Sequence, residues 1–232
     1  DAARRVNLKA ETGGTVAQNL VERGIAVAKG DVLVRLAPDD RPARLERAKA
    51  AGLNVTAGVS IHHLTLNELD VGDYRTFFKV KTPLRSEDDR LAAVEAVASG
   101  LIDVISSMHT PQDEESKRLP FEEAASGAIG LETFLPAMMR LVHGGHMDLP
   151  TLWRAMSLAP SHLLGLATGR LAAGSPADLV LFDPDTPFVL DRFKLRSKSK
   201  NTPFDEARME GRVLGTWVGG VQVFGDTSAQ DA

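Results

Sequence analysis

Leu101-Ile102-Asp103-Val104-Ile105-Ser106-Ser107-Met108-His109-Thr110-Pro111 is the stretch on which the reading of this chain turns. Its first half is an apolar run of strand-forming residues. Its second half is abruptly polar, carries one histidine, and closes on a proline that cannot extend a ladder of hydrogen bonds. A strand that ends in such a cluster is how an α/β barrel presents active groups at its C-terminal rim. Met108 stands out in that setting. A thioether is a weak acceptor, has no charge and takes no proton at neutral pH.

On the N-terminal side, Leu53-Asn54-Val55-Thr56-Ala57-Gly58-Val59-Ser60-Ile61 reads as a second buried strand, ending at His62-His63. A loop through Tyr74 and Arg85 leads to a helix over 87–98, with Leu91, Val94 and Val97 on one face. Downstream, a polar loop is followed by helices near 131–142 and 149–156 and a short helical piece at 160–166. Strands are expected again at 177–183, 188–190 and 213–223, separated by Pro and Gly turns. The fold class is therefore α/β over 51–170, with a β-strand tail over 171–232. Residues 1–50 read differently. Short strands at 6–10, 15–21, 25–27 and 32–36 are punctuated by Gly13-Gly14, Gly24 and Gly30. Pro38-Asp39-Asp40 then opens a helix over 41–51.

Composition bounds the function. The 232 residues are 43% hydrophobic and 25% charged, a globular mix. A formal net charge of −4 gives no electrostatic case for nucleic acid. Residues 1–50 carry ten Lys/Arg against seven Asp/Glu, while the remainder is acidic, so the two parts are unlike. With no cysteine, disulfides and thiolate metal sites are excluded. No stretch approaches the ~20 apolar residues of a membrane span, and no apolar run follows the first charges, so a cytoplasmic protein is expected.

The histidines are the obvious candidates for chemistry. Neighbours on a strand point to opposite faces, so only one of His62 and His63 could meet a site. A single histidine does not make the usual three-ligand zinc centre, and no metal site is expected. His109 can serve as a hydrogen-bond partner to substrate or water, or can simply bond the backbone. His143 and His146 flank Gly144-Gly145 at a helix end, where a cation offsets the macrodipole. His162, Trp153 and Trp217 are expected to pack, and Lys198-Ser199-Lys200 to form a solvated loop.

Two resemblances follow from these residues. Ala10-Glu11-Thr12-Gly13-Gly14-Thr15-Val16, Glu22-Arg23-Gly24 and Lys29-Gly30-Asp31-Val32-Leu33 resemble the biotinyl/lipoyl-like half-motif of periplasmic adaptor (membrane-fusion) proteins. Lys29 reads as a solvated turn residue rather than a lipoyl lysine. From about Arg47 to Gly225 the chain is similar to the C-terminal part of dihydroorotases of the amidohydrolase superfamily. The similarity is carried by Lys79-Val80-Lys81-Thr82-Pro83-Leu84-Arg85, His109-Thr110-Pro111, Lys117-Arg118-Leu119-Pro120-Phe121, Gly130-Leu131-Glu132-Thr133 and Ser199-Lys200-Asn201-Thr202-Pro203-Phe204.

What that resemblance implies is a partial (β/α)8 barrel with 53–61 and 101–105 as its seventh and eighth strands. It implies a zinc-family cyclic amidohydrolase acting on dihydroorotate or carbamoyl-aspartate in pyrimidine biosynthesis. In the family an aspartate stands where Met108 does, and none of the family's metal ligands has a counterpart here. Catalytic residues are therefore not assigned, no cofactor is expected on this chain, and no activity is expected of it alone. His109, Lys81 and His63 remain as substrate-binding candidates, Lys81 standing where the family often places an asparagine. The alternatives are a non-catalytic dihydroorotase-like subunit supporting aspartate transcarbamoylase, and an adaptor-derived binding module. Either way, exposed core faces are expected to drive self-association.

Overall fold

The computed structural model describes residues 16–19, 34–36 and 41–225, with side chains from 44 onward. The chain divides into two compact units, Asp1–Val55 and Thr56–Ala232. In the first, β1 (Val16–Asn19) runs antiparallel to β2 (Val34–Leu36), with an irregularity between Val16 and Gln18. Helix α1 (Arg41–Ala50) follows. The expected strands at 6–10 and 25–27, and Lys29, lie outside the described residues.

The second unit is built on two parallel strands, β3 (Gly58–Ser60) and β4 (Val104–Ser106), with Val59 opposite Ile105 and Ser60 opposite Ser106. Both are shorter than the apolar runs that foretold them. Strand β3 stops because Ser60 caps a helix, its Oγ accepting the amide of His62 at 3.0 Å. His62 and His63 therefore sit in α2 (Ile61–Thr65), not at the end of a strand, and the opposite-faces expectation for them is corrected. On a helix, successive side chains are about 100° apart, so both can stay near the same cap.

The crossover from β3 to β4 passes through single turns at Glu68–Val71 and Thr76–Phe78 and then α3 (Glu87–Ala98). Ser86 caps α3, and Glu87, Asp88 and Asp89 fill its first turn, where acids favour the macrodipole. Val94 and Val97 are buried as the spacing predicts, whereas Leu91 remains 39% exposed. The segment read as a plain polar loop after β4 contains α4 (Glu114–Arg118).

Helix α5 (Phe134–His143) buries Leu135, Ala137, Met138, Met139 and Leu141. Next comes a continuous helical run: α6 (Leu149–Trp153), a π-turn at Arg154–Leu158, and α7 (Ala159–Leu163). Pro160 has no amide to return to the preceding turn, and a widened π-turn accommodates that gap. His162 is exposed at the end of this run, not packed as expected.

The tail forms a three-stranded antiparallel sheet, β5 (Leu179–Asp183), β8 (Arg212–Val218) and β9 (Val221–Phe224), in the order β5-β8-β9. A separate small pair joins β6 (Phe188–Val189) to β7 (Arg208–Met209). Trp153 packs edge-on against Phe182 at 5.7 Å, so this tryptophan does pack. The core of the unit gathers Ile61, Leu64, Val97, Met138, Leu152 and Phe204, each at most 1% exposed. No helix among the described residues is long and apolar enough to cross a membrane.

Candidate functional site

A cleft of about 430 Å³ opens along β3 and the loop that follows α2. Ser60, His63, Lys81, Arg85, Ser106 and Met108 are among the residues on its wall. Three of the four residues singled out from the sequence thus meet in one place, although 45 residues of chain separate His63 from Met108. His109 points elsewhere. Its Nδ1 accepts the backbone amides of Gly130 at 3.2 Å and Leu131 at 3.4 Å, leaving Nε2 without a partner among the described residues. Gly130 is required there: a Cβ would meet the Ser107 carbonyl oxygen at 2.2 Å.

Met108 lies two residues beyond β4, 48% exposed, with a φ of 43°. Left-handed backbone is costly for most residues and is best tolerated by glycine, asparagine and aspartate. The backbone at this position therefore suits a short polar side chain better than the methionine it holds, a conclusion independent of any relative.

Ser60 links the two histidines. Its Oγ lies 3.4 Å from Nδ1 of His62 and 3.3 Å from Nδ1 of His63. Nε2 of His63 lies 3.0 Å from the carbonyl oxygen of Thr82. A carbonyl can only accept, so His63 carries its proton on Nε2 and donates it there. The ring is thereby fixed between the cap of α2 and the loop that bears Lys81. His62 is deeper, 1% exposed and stacked on Phe204 with centroids 6.2 Å apart. Burial pushes its pKa down to about 4, so it is neutral at pH 7. Its Nε2 meets no partner with hydrogen-bond geometry, although the Ile129 backbone lies near enough to oppose part of that fall.

The loop that carries Lys81 is held from below by a lysine the sequence reading passed over. Lys117 is only 3% exposed, and its Nζ donates to the carbonyls of Thr76 at 2.8 Å and Ala125 at 2.7 Å. Desolvation lowers its pKa to about 8, which leaves it protonated at neutral pH inside a cage of acceptors. Its sequence neighbours Glu115 and Arg118 are ordinary helix-surface residues, so only the tertiary packing shows that it is buried. The segment at Ser199 is likewise not a plain solvated loop. Asn201 is 2% exposed, donates to the carbonyls of Thr110 and Gly127, and accepts from Ser199 Oγ. Lys200 Nζ donates to the carbonyls of Leu195 and Ser197, each at 2.7 Å. His143, at the end of α5, pairs with Glu210 at 2.7 Å and Asp185 at 3.5 Å.

A divalent metal does not fit the donors present. His63 has both nitrogens engaged, Met108 offers a thioether, and Asp89 accepts the Ser86 hydroxyl. Among the described residues no group of three His, Asp or Glu side chains converges as a metal site needs.

Parallel strands joined by a helical crossover, with a cleft and loops beyond their C-terminal ends, define a piece of an α/β-barrel protein. The sequence pattern of the Amidohydrolase family matches residues 26–223, and the chain belongs to that family. The match begins within residues 1–50. Among curated relatives, the dihydroorotase of Ehrlichia canis (strain Jake) is 38% identical over 206 residues, covering 87% of this chain and 46% of that protein. The dihydroorotase of Desulforapulum autotrophicum is 42% identical over 176 residues, covering 76% and 41%. Among solved structures, the L-hydantoinase (dihydropyrimidinase) of Arthrobacter aurescens superposes with a TM-score of 0.76 at 31% identity, covering 80% of this chain and 43% of that one. The dihydropyrimidinase of Brevibacillus agri, with a TM-score of 0.73 at 23% identity, shows the fold alone. The chain spans less than half the length of these relatives.

Proposed function

We propose that this chain is part of a dihydroorotase-like cyclic amidohydrolase of pyrimidine biosynthesis and that, alone, it does not turn over dihydroorotate or carbamoyl-aspartate. The observation that carries this reading is Met108 on the cleft wall. Opening a cyclic amide with water needs a group that takes a proton from the attacking water. Met108 cannot do so, Nδ1 of His63, its one acceptor nitrogen, faces the Ser60 hydroxyl at 3.3 Å while its Nε2 donates to Thr82, and Asp89 accepts the Ser86 hydroxyl. The cleft can bind and orient a substrate, with Lys81 and His63 on its wall. Within this reading, 51–170 supplies barrel elements and 171–232 the strands of an adjoining β-sandwich, while 1–50 is an adaptor-like segment appended to them.

The test is direct. Purified chain is assayed for zinc and for dihydroorotate turnover, as isolated and as Met108→Asp. Less than about one tenth of an equivalent of zinc is expected, because three converging ligands are missing. No turnover is expected from either protein. Turnover above blank would sink the proposal.

A second reading has the same residue in its favour. With Met108 in place of an acid, and with apolar strands exposed in the tail sheet, the chain suits a non-catalytic subunit that supports aspartate transcarbamoylase. Co-purification with a transcarbamoylase would single it out. An adaptor-derived binding module would instead require residues 1–50 to fold alone and to account for any partner captured.

A further inference from the structure

We propose that Met108 is a reversible oxidation site, at which a hydroperoxide turns the thioether into a sulfoxide held on the cleft wall as a hydrogen-bond acceptor. The inference goes beyond the function proposed above and needs no turnover in the cleft.

The placement of sulfur carries the argument. The chain has no cysteine, so its six methionines hold all of its sulfur. Met138, Met139, Met147 and Met209 are at most 7% exposed, and Met156 packs half-buried against the core. Met108 is 48% exposed. A peroxide in solution therefore meets this methionine without any opening of the fold, and meets no thiol that would compete for it.

The surroundings suit the product as well as the reaction. The chain on both sides of Met108 is pinned. Ser106 lies in β4 opposite Ser60, the Thr110 hydroxyl donates to the Met108 carbonyl at 3.0 Å, and Nδ1 of His109 accepts the amides of Gly130 and Leu131. The side chain thus leaves a fixed left-handed backbone and is half covered by the wall. Lys81 and Arg85 share that wall and are exposed, and their side chains have no hydrogen bond or ion pair among the described residues. A thioether is too weak an acceptor to engage them, whereas a sulfoxide oxygen is polar and accepts readily.

The step balances. A sulfur lone pair attacks the terminal oxygen of the hydroperoxide, and the O–O bond breaks as the S–O bond forms. The proton on the transferred oxygen passes to the departing one, which leaves as water or an alcohol. Sulfur loses two electrons and the peroxide gains them. The return to thioether consumes two thiols, which become a disulfide. With no cysteine in this chain they belong to a reductase acting from outside, and exposure at the cleft admits it.

The test treats the purified full chain with hydrogen peroxide and follows each methionine by peptide mass spectrometry. Met108 should gain one oxygen at least about tenfold faster than Met138, Met139, Met147 or Met209, whose sulfurs react only when the core opens. Because the wall covers one side of the side chain, one sulfoxide epimer should dominate. Only one of the two stereospecific methionine sulfoxide reductases should then restore the original mass. The melting temperature of the singly oxidised chain should not fall. Lys81→Gln combined with Arg85→Gln should leave the fast oxidation in place and lower the epimer preference about threefold, the donors being gone. Met108→Leu should remove the fast phase and leave the other five methionines at their former rates, an outcome no misfolded variant would give.

Oxidation of Met156 or of the buried methionines as fast as Met108 would overturn the proposal. So would a sulfoxide that neither reductase removes, or a lowered melting temperature on single oxidation. An even mixture of epimers would overturn it too, by marking Met108 as an ordinary surface methionine.

Discussion

The β3–β4 pair and the β5-β8-β9 sheet are made from similar residues and treat them in opposite ways. Around the parallel pair, Ile61, Leu64, Ile105, Val97 and Leu152 are at most 2% exposed, because α2, α3, α5 and the α6–α7 run close over them. In the tail sheet, Val180, Leu181, Val218, Val221 and Val223 are 47–67% exposed. A cavity of about 790 Å³ lies between Trp153 on the helical run and Trp217 on β8. The difference teaches that strand-forming sequence alone does not make a core. A strand contributes to stability only when another layer buries its face, and burial is worth roughly 25 cal/mol per Å² of apolar surface. The same contrast separates the two kinds of charged group. Lys117, inside the packed region, is consumed by carbonyls, whereas Lys81 and Arg85, on the cleft, are free to meet a ligand.

The strongest way to break this comparison is to truncate one buried and one exposed side chain. Phe204→Ala removes a ring that is 1% exposed and stacks on His62, and should cost about 3–5 kcal/mol. Val221→Ala, at 67% exposure, should cost less than about 0.5 kcal/mol. Equal shifts in urea midpoint would mean that the tail sheet is covered in solution.

Acid probes the packed region next. The unfolded chain's histidine titrates near 6.5, but burial holds His62 at about 4. Between those values the unfolded state binds the proton more readily. The contribution is therefore complete above pH 6.5 and is lost as pH falls through 4, a change of about 3 kcal/mol. His62→Gln should flatten that part of the stability profile, measured as urea midpoints from pH 7 to pH 4.5. An unchanged slope would show that His62 is hydrated.

Backbone strain at Met108 gives a smaller effect. Met108→Asn should stabilise by about 1 kcal/mol, since asparagine tolerates the positive φ, while Met108→Leu should not. Equal melting temperatures for the two variants would mean that the left-handed backbone relaxes. The smallest expected change in stability comes from Val180→Lys with Val223→Lys, within about 0.5 kcal/mol. That pair should nevertheless abolish the concentration-dependent self-association expected of the exposed strands. Light scattering after size exclusion would decide, and a wild-type chain that stays monomeric at all concentrations would remove the premise.

Ser86 as cap, acids in the first turn, and Val94 and Val97 one turn apart defined α3 to the residue, because capping and helix periodicity are local. Motif residues likewise pointed to Met108, Lys81 and His63 before any of them had a place in space. What sequence alone missed were features set by contacts across many residues. The Ser60 cap cut β3 short and turned His62-His63 into a helix, although the run from Leu53 to Ile61 reads as continuous strand. Lys117 was read only as one residue of a motif, and the carbonyls of Thr76 and Ala125 around it show it to be a buried cation. His109 was open to two roles, and the amides of Gly130 and Leu131 occupy its Nδ1.

By itself, then, the sequence determined α3 with its cap and the strand character of β4, and that the residue after Ser107 cannot act as a base. These depend on side-chain chemistry and on periodicities of a few residues. Only the tertiary structure decided that Met108 stands in a left-handed backbone on a cleft wall, and that the side chains of Lys81 and Arg85 have no partner among the described residues while those of Arg90 and Lys117 do. The physical reason is that burial and ion pairing belong to neighbours brought together by folding, and no local pattern in the chain encodes which neighbours those will be.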